Sequence, residues 1–142
     1  MLREPMVDVA TQSATLLRDL QARGLFHQCT HLEGLEKHLA QPRKVYAGFD
    51  PTKDSLTIGN LVSILLLRRF QLAGHQPVVL MGGGTGLIGD PSGKDAERSL
   101  NTVETVQKNI AGQRELFSSI LDFEWMFNGS LIDFYCLMEF NF

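Results

Sequence analysis

Cysteine is scarce in this 142-residue chain, with Cys29 and Cys136 the only two. Two thiols make no disulfide framework, and reduced thiols in a cytosolic protein are the simpler reading. Long apolar runs are missing too: no window reaches the roughly 18 consecutive apolar residues of a membrane span. The opening segment MLREPMVDVATQ has no continuous apolar core and carries Glu4 and Asp8, so it reads neither as a secretory signal nor as a mitochondrial presequence. A large charge excess is also absent. The formal net charge of -3 offers no global electrostatic reason to bind nucleic acid, which leaves only a local basic patch open. Internal repeats and low-complexity tracts are not visible. What is there, 44% hydrophobic and 20% charged residues, is the composition of a soluble globular domain expected in the cytoplasm.

Apolar spacing sets the order of elements. Residues 11–23 read as a helix with Leu16, Leu17 and Leu20 on one face and Gly24 just past its end. Thr30 and Glu33 have the spacing of a capping box, opening a second helix with Leu32, Leu35 and Leu39 that Gln41-Pro42 ends. Residues 45–49 are a short apolar run suited to a buried strand, broken by Asp50-Pro51-Thr52. A helix over residues 58–73 follows, capped by Thr57 or Ser55 and stopped by Gly74. Its Leu61, Ile64, Leu65, Leu66 and Phe70 cover more than one face, which predicts a well-buried helix, and Arg68 and Arg69 suit its C-terminal dipole. Residues 77–81 form the next buried strand. Strand, helix, strand is a βαβ unit, for which parallel pairing is strongly favoured. Asn101 and Glu104 have capping spacing ahead of a last helix to about Leu121.

Two turns rich in small residues follow the two strands, YAGFDPTKDSLTIGN and GGGTGLIGDPSGK, and both suit the approach of a phosphate-bearing ligand to the backbone. Gly84-Thr85-Gly86-Leu87-Ile88-Gly89 matches the G-x-G-x-x-G spacing of dinucleotide-binding turns. That fingerprint requires a helix starting within the glycine run, whereas Asp90-Pro91-Ser92-Gly93 reads as a further turn. A P-loop is excluded on spacing, because Gly93-Lys94 has Ile88 and Asp95 where that motif needs glycine and a hydroxyl residue. His75 reads as a polar residue in a turn and not a ligand.

In combination and in order, Tyr46-Ala47-Gly48-Phe49-Asp50-Pro51-Thr52, Asp54-Ser55-Leu56, Arg68-Arg69-Phe70-Gln71, Ala73-Gly74-His75 and Gly86-Leu87-Ile88-Gly89-Asp90-Pro91-Ser92-Gly93-Lys94 resemble the catalytic domain of tyrosyl-tRNA synthetases. Glu97-Arg98 and Leu100-Asn101-Thr102 continue the resemblance, which spans about residues 15–123. It implies an α/β fold with a Rossmann-like parallel sheet, and a tyrosine–tRNA ligase that joins tyrosine to ATP as tyrosyl-adenylate and passes the tyrosyl group to tRNA(Tyr). It also implies magnesium arriving with ATP, no resident metal or prosthetic group, no membrane association, and a homodimer in the full-length family.

The resemblance assigns roles to matching positions. Tyr46 meets the substrate phenol hydroxyl, Asp90 lies beside its ammonium group, and Asp50 lies in the shared tyrosine and nucleotide pocket. Gly48 and Gly59 let substrate and adenosine lie close to the backbone. Thr52 and the four-residue signature at 57–60 hold the departing phosphates, and Lys94 and Arg98 neutralise pyrophosphate from a mobile loop. These are donors and cations of the kind that stabilise charge on phosphorus. The competing reading makes Tyr46 a core side chain, Asp90 a turn residue, and Lys94 and Arg98 solvated surface charges.

Two departures from the family pattern stand out. The family signature is His-Ile-Gly-His or a close variant, and here it is Thr57-Ile58-Gly59-Asn60. Asparagine keeps hydrogen-bonding capacity, but threonine lacks the reach and protonation of imidazole, so phosphate stabilisation weakens. The family's later half, with its second nucleotide-binding portion and tRNA-binding region, is not matched. Residues 1–123 are therefore expected to be the N-terminal part of such a catalytic domain. Residues 124–142, dense in large apolar side chains, read as a divergent tail left by truncation or frame-shift, or as a segment docked into the core. The chain alone is expected to have little or no activity. Two other functions compete: a non-catalytic remnant or interaction module, and a dinucleotide-binding oxidoreductase domain.

Overall fold

A computed structural model describes residues 8–88 and 101–123. The elements run α1 (Val9–Ala22), α2 (Leu32–Leu39), β1 (Lys44–Phe49), α3 (Ile58–Leu72), β2 (Gln76–Met81), α4 (Gly83–Ile88) and α5 (Val103–Ile120). The two strands pair in parallel, from Lys44 opposite Gln76 to Phe49 opposite Met81. Helix α3 connects them, as the apolar spacing predicts.

The helix stops follow the glycines. Gly24 and Gly74 have φ of 68° and 92°, the left-handed region that glycine enters without steric penalty. Past α3, the Gly74 N–H donates to the Gln71 carbonyl and the His75 N–H to that of Phe70. Past α1, Gly24 and Leu25 make the same pair of bonds to Gln21 and Leu20. Both ends are Schellman motifs, which satisfy carbonyls the helix leaves unpaired.

Two expected helix starts are shifted. The cap of α2 is His31, not Thr30: its Nδ1 accepts from the Gly34 N–H at 2.8 Å. A Cβ on residue 34 would lie 2.7 Å from that nitrogen, so glycine is what lets the imidazole reach the amide. The cap of α5 is Thr102, whose hydroxyl accepts from the Thr105 N–H at 3.2 Å. Asn101 is drawn away, donating instead to the Gly86 carbonyl at 2.8 Å. The glycine run after β2 also differs from expectation. It is not an open turn: α4 starts inside it at Gly83, with the Gly86 N–H bonded to the Gly82 carbonyl at 2.9 Å, which removes the missing helix start as a ground against the dinucleotide fingerprint.

The main core lies on one face of the sheet. Phe49, Val79 and Met81 pack there against Ile64 and Leu67 of α3 and against Phe117 and Leu121 at the α5 end. The Phe49 and Phe117 rings meet edge to face, 4.9 Å between centroids. A second cluster joins α1 to the end of α3 through Leu16, Leu20 and Ala73. Beneath it, His75 is fully buried between Ser13 of α1 and the backbone of Arg43. That makes His75 a tie between elements, as a structural reading of it expects.

The other sheet face is open among the described residues. Lys44, Tyr46 and Gly48 point outward from β1, and Tyr46 retains 73% of its exposure. Parallel sheets are ordinarily covered on both faces. Helix α3 departs from its expected burial as well. Ile64 and Leu67 are core residues, but Val62, Leu65, Leu66 and Leu72 are exposed among the described residues. The two strands among the described residues offer α3 one flank only.

Candidate active site

The carboxyl ends of β1 and β2 lie side by side, and the site is built there. Strand alternation puts Tyr46 and Gly48 on the open face, opposite Val78 and Leu80 of β2. Among the described residues Tyr46 is exposed and not packed into the core. One residue past β1, Asp50 meets the first turn of α4: its Oδ1 accepts from the Thr85 hydroxyl at 2.5 Å. Thr85 also bonds the Gly82 carbonyl at 2.8 Å, and the Gly82 N–H extends the strand pairing to Phe49 at 2.9 Å. The carboxylate is fixed while remaining exposed.

The glycines divide into two kinds. A Cβ at Gly82 would lie 2.8 Å from Asp50 Oδ1, and one at Gly86 would lie 2.9 Å from Pro51 Cγ. Packing of the chain on itself requires those two. A Cβ at Gly48 would meet nothing closer than Leu80 at 3.9 Å, and at Gly59 nothing closer than the Thr57 hydroxyl at 3.6 Å. Among the described residues nothing demands glycine at 48 or 59. At both positions a Cβ would make only ordinary van der Waals contact, so the bare backbone suits the close approach of a ligand.

Thr57 caps α3, and it is bound to the other end of its own signature. Asn60 Oδ1 accepts from the Thr57 N–H at 3.1 Å and from its hydroxyl at 2.7 Å. Thr52 sits in the preceding loop, partly exposed, with its N–H bonded to the Asp50 carbonyl at 2.9 Å. The structure therefore brings Tyr46, Gly48 and Asp50 onto one strand and its exit, and joins Thr57 to Asn60. Asp90, Lys94 and Arg98 lie outside the described residues.

Several supporting residues escape a reading by motif. Thr85 is one, hidden inside the glycine run. Asn109 and Gln113 of α5 are others: they are buried and donate to the carbonyls of Pro51 and Lys53 at 3.0 and 2.8 Å. Their signal is positional. Val106, Asn109, Gln113 and Phe117 follow helical spacing on the buried face of α5, so two carboxamides sit where apolar residues belong.

This geometry has relatives. The family model described as tRNA synthetases class I (W and Y) matches residues 37–135, more than half of the chain. The chain is 56% identical over 117 residues to a protein named tyrosine–tRNA ligase from Desulfitobacterium hafniense (strain DSM 10664 / DCB-2), covering 82% of this chain and 28% of that protein. It is 55% identical over 118 residues to tyrosine–tRNA ligase 1 of Bacillus subtilis (strain 168), with the same coverage. Among solved structures, a C-terminally truncated Coccidioides posadasii mitochondrial tyrosyl-tRNA synthetase superposes with a TM-score of 0.57 at 28% identity, over 82% of this chain and 36% of that one. The chain spans under a third of the length of the curated relatives it matches. By sequence, by the α/β fold and by the place of its glycine turns, it belongs to the class I tRNA synthetases of the tryptophan and tyrosine family.

Proposed function

We propose that the chain carries the tyrosine-binding and first phosphate-binding portions of a tyrosine–tRNA ligase. In this reaction a tyrosine carboxylate oxygen attacks the α-phosphorus of ATP. The bond from that phosphorus to the bridging oxygen breaks, and pyrophosphate leaves with the electron pair. A hydroxyl at the 3′ end of tRNA(Tyr) then attacks the tyrosyl carbonyl, and AMP departs. One observation carries the reading: a tyrosine hydroxyl and bare glycine backbone share an open strand face that ends at the fixed Asp50 carboxylate.

The named relatives point to tyrosine as the amino acid. A Tyr46 hydroxyl presented from a rigid strand can pair with a substrate phenol, and such a site disfavours phenylalanine because the hydroxyl is then left unpaired. Gly48 and Gly59 give substrate and adenosine access to the backbone. Thr52 and the N-terminus of α3 face phosphate with hydroxyl and amide donors. Asp90, Lys94 and Arg98 keep the roles the resemblance gives them, an acidic partner for the substrate ammonium and two cations for pyrophosphate. Magnesium arriving with ATP as substrate, with no resident metal or prosthetic group, belongs to the same proposal; among the described residues no three His, Cys, Asp or Glu side chains converge. No helix among them is long and apolar enough to cross a membrane. A homodimer, tRNA(Tyr) binding and a cytoplasmic location belong to the same proposal, as does weak turnover with Thr57 in the signature.

The test is a titration of the 142-residue chain with tyrosine and with phenylalanine, followed by backbone amide NMR. Tyrosine is expected to shift residues 46–50 and phenylalanine to leave them in place. Equal responses, or none, would remove tyrosine from the reading. Tyrosine-dependent exchange between ATP and pyrophosphate measures turnover, and robust exchange would overturn the expected impairment.

A further inference from the structure

Three neighbouring residues of α5 hold the loop between β1 and α3, and no motif accounts for them. Asn109 Nδ2 donates to the Pro51 carbonyl at 3.0 Å, and Gln113 Nε2 donates to the Lys53 carbonyl at 2.8 Å. Between them in the chain, Gly112 faces the Asp54 carbonyl: a Cβ there would lie 2.8 Å from the oxygen. Gly112 is mid-helix with no unusual backbone angle, and glycine there weakens a helix by about 1 kcal/mol relative to alanine. Gln113 is 1% exposed and its Oε1 has no hydrogen-bond partner. A buried acceptor left unpaired costs about 1–3 kcal/mol. Apolar residues at 109 and 113 and alanine at 112 would make the more stable helix.

What these choices secure is the path of the loop. Three of its carbonyls, at residues 51, 53 and 54, are taken or approached by α5. The peptides of this loop are trans, so the N–H that follows each carbonyl points the opposite way. The amides of Asp54 and Ser55 are thereby turned away from α5.

We propose that Asn109, Gly112 and Gln113 are positioning residues that set the 51–54 loop for binding of the pyrophosphate portion of ATP. This rests on the reading of Thr52 and the 57–60 signature as phosphate-contacting. They act through the loop backbone and touch no substrate.

The experiment compares the 142-residue chain with Gly112→Ala and Gln113→Met by titration with inorganic pyrophosphate and with tyrosine, alongside thermal unfolding. Gly112→Ala separates the alternatives, since alanine favours the helix while its methyl displaces the loop. The expected result is pyrophosphate binding weakened at least tenfold in both variants, with tyrosine affinity unchanged. Should either variant fail to fold, the other decides alone. If Gly112→Ala raises the melting temperature and binds pyrophosphate as the parent does, α5 only supports the fold and the inference fails by itself. If tyrosine affinity drops in step with pyrophosphate affinity, the effect is general destabilisation, which also overturns it. If the parent chain binds no pyrophosphate, the phosphate reading fails and takes this inference with it.

Discussion

Asn60 accepts both available donors of Thr57, the backbone N–H at 3.1 Å and the hydroxyl at 2.7 Å. The first and last positions of the signature are thus spent partly on each other, closing the N-terminal turn of α3. Replacing Asn60 with alanine removes the N3 half of the capping box while Thr57 stays as the cap, and is expected to destabilise the chain by about 0.5–1.5 kcal/mol. Urea unfolding measures it, and an unchanged midpoint would show that the pairing does nothing for α3.

The two kinds of glycine predict opposite stability effects. Gly86→Ala forces a methyl to 2.9 Å from Pro51 and 3.3 Å from Val106 and is expected to destabilise by about 1–3 kcal/mol. Gly59→Ala meets only the Thr57 hydroxyl at 3.6 Å and gains helix propensity, worth up to about 1 kcal/mol. ATP binding should nevertheless weaken in Gly59→Ala. Paired thermal unfolding and ATP titrations separate the two effects. A Gly59→Ala variant that binds ATP normally would remove the ligand argument for that glycine.

Tyr46→Phe removes one oxygen from an exposed side chain. Stability should stay within about 0.5 kcal/mol of the parent. Tyrosine affinity should fall by about 0.5–1.5 kcal/mol, the usual worth of one neutral hydrogen bond. Calorimetric titration reads the second quantity, and an unaltered affinity would mean the hydroxyl contacts no substrate.

His75 predicts a pH dependence. Its Nδ1 accepts from the Arg43 N–H at 3.2 Å, so the ring is neutral and Nε2 donates to the Ser13 hydroxyl at 2.8 Å. Burial, then the charges of Arg43 and His38, hold its pKa below the ordinary 6.5. As pH falls through that value the unfolded chain takes up a proton that the folded chain refuses, so stability declines until the folded pKa is passed. Above the ordinary 6.5 this effect vanishes. Asp19, lowered mainly by its hydrogen bond from Arg23, and Glu104, lowered mainly by its own backbone N–H, lose their contributions only below about 3.8 and 4.5. Urea midpoints should therefore drop between pH 7 and 5, and His75→Phe should flatten that slope. Ser13→Ala strands the ring N–H and is expected to cost about 1–3 kcal/mol.

Local features of this fold are legible in the sequence. Two apolar runs separated by a helical period yield β1, α3 and β2, and Gly24 and Gly74 mark the ends of α1 and α3 because no other residue enters that backbone region as freely. Tyr46 and Gly48 share a face by strand alternation alone. What depends on distant partners is not legible. Choosing His31 over Thr30, or Thr102 over Asn101, depends on Gly34 and on the Gly86 carbonyl. The Asp50–Thr85 bond spans 35 residues and has no local trace. The buried face of α3 depends on how many strands lie beside it, which helical spacing does not state.

The grip of α5 on the loop also carries a consequence for the order of folding. Asn109 lies 58 residues from its partner at Pro51, and Gln113 lies 60 from Lys53. Contacts of such separation form late, because a long stretch of chain must be closed before they contribute. The strand pairing between Lys44 and Met81 does not include them. On a chain emerging from the ribosome, the loop proposed to meet ATP would acquire its shape only after α5 has been made and docked.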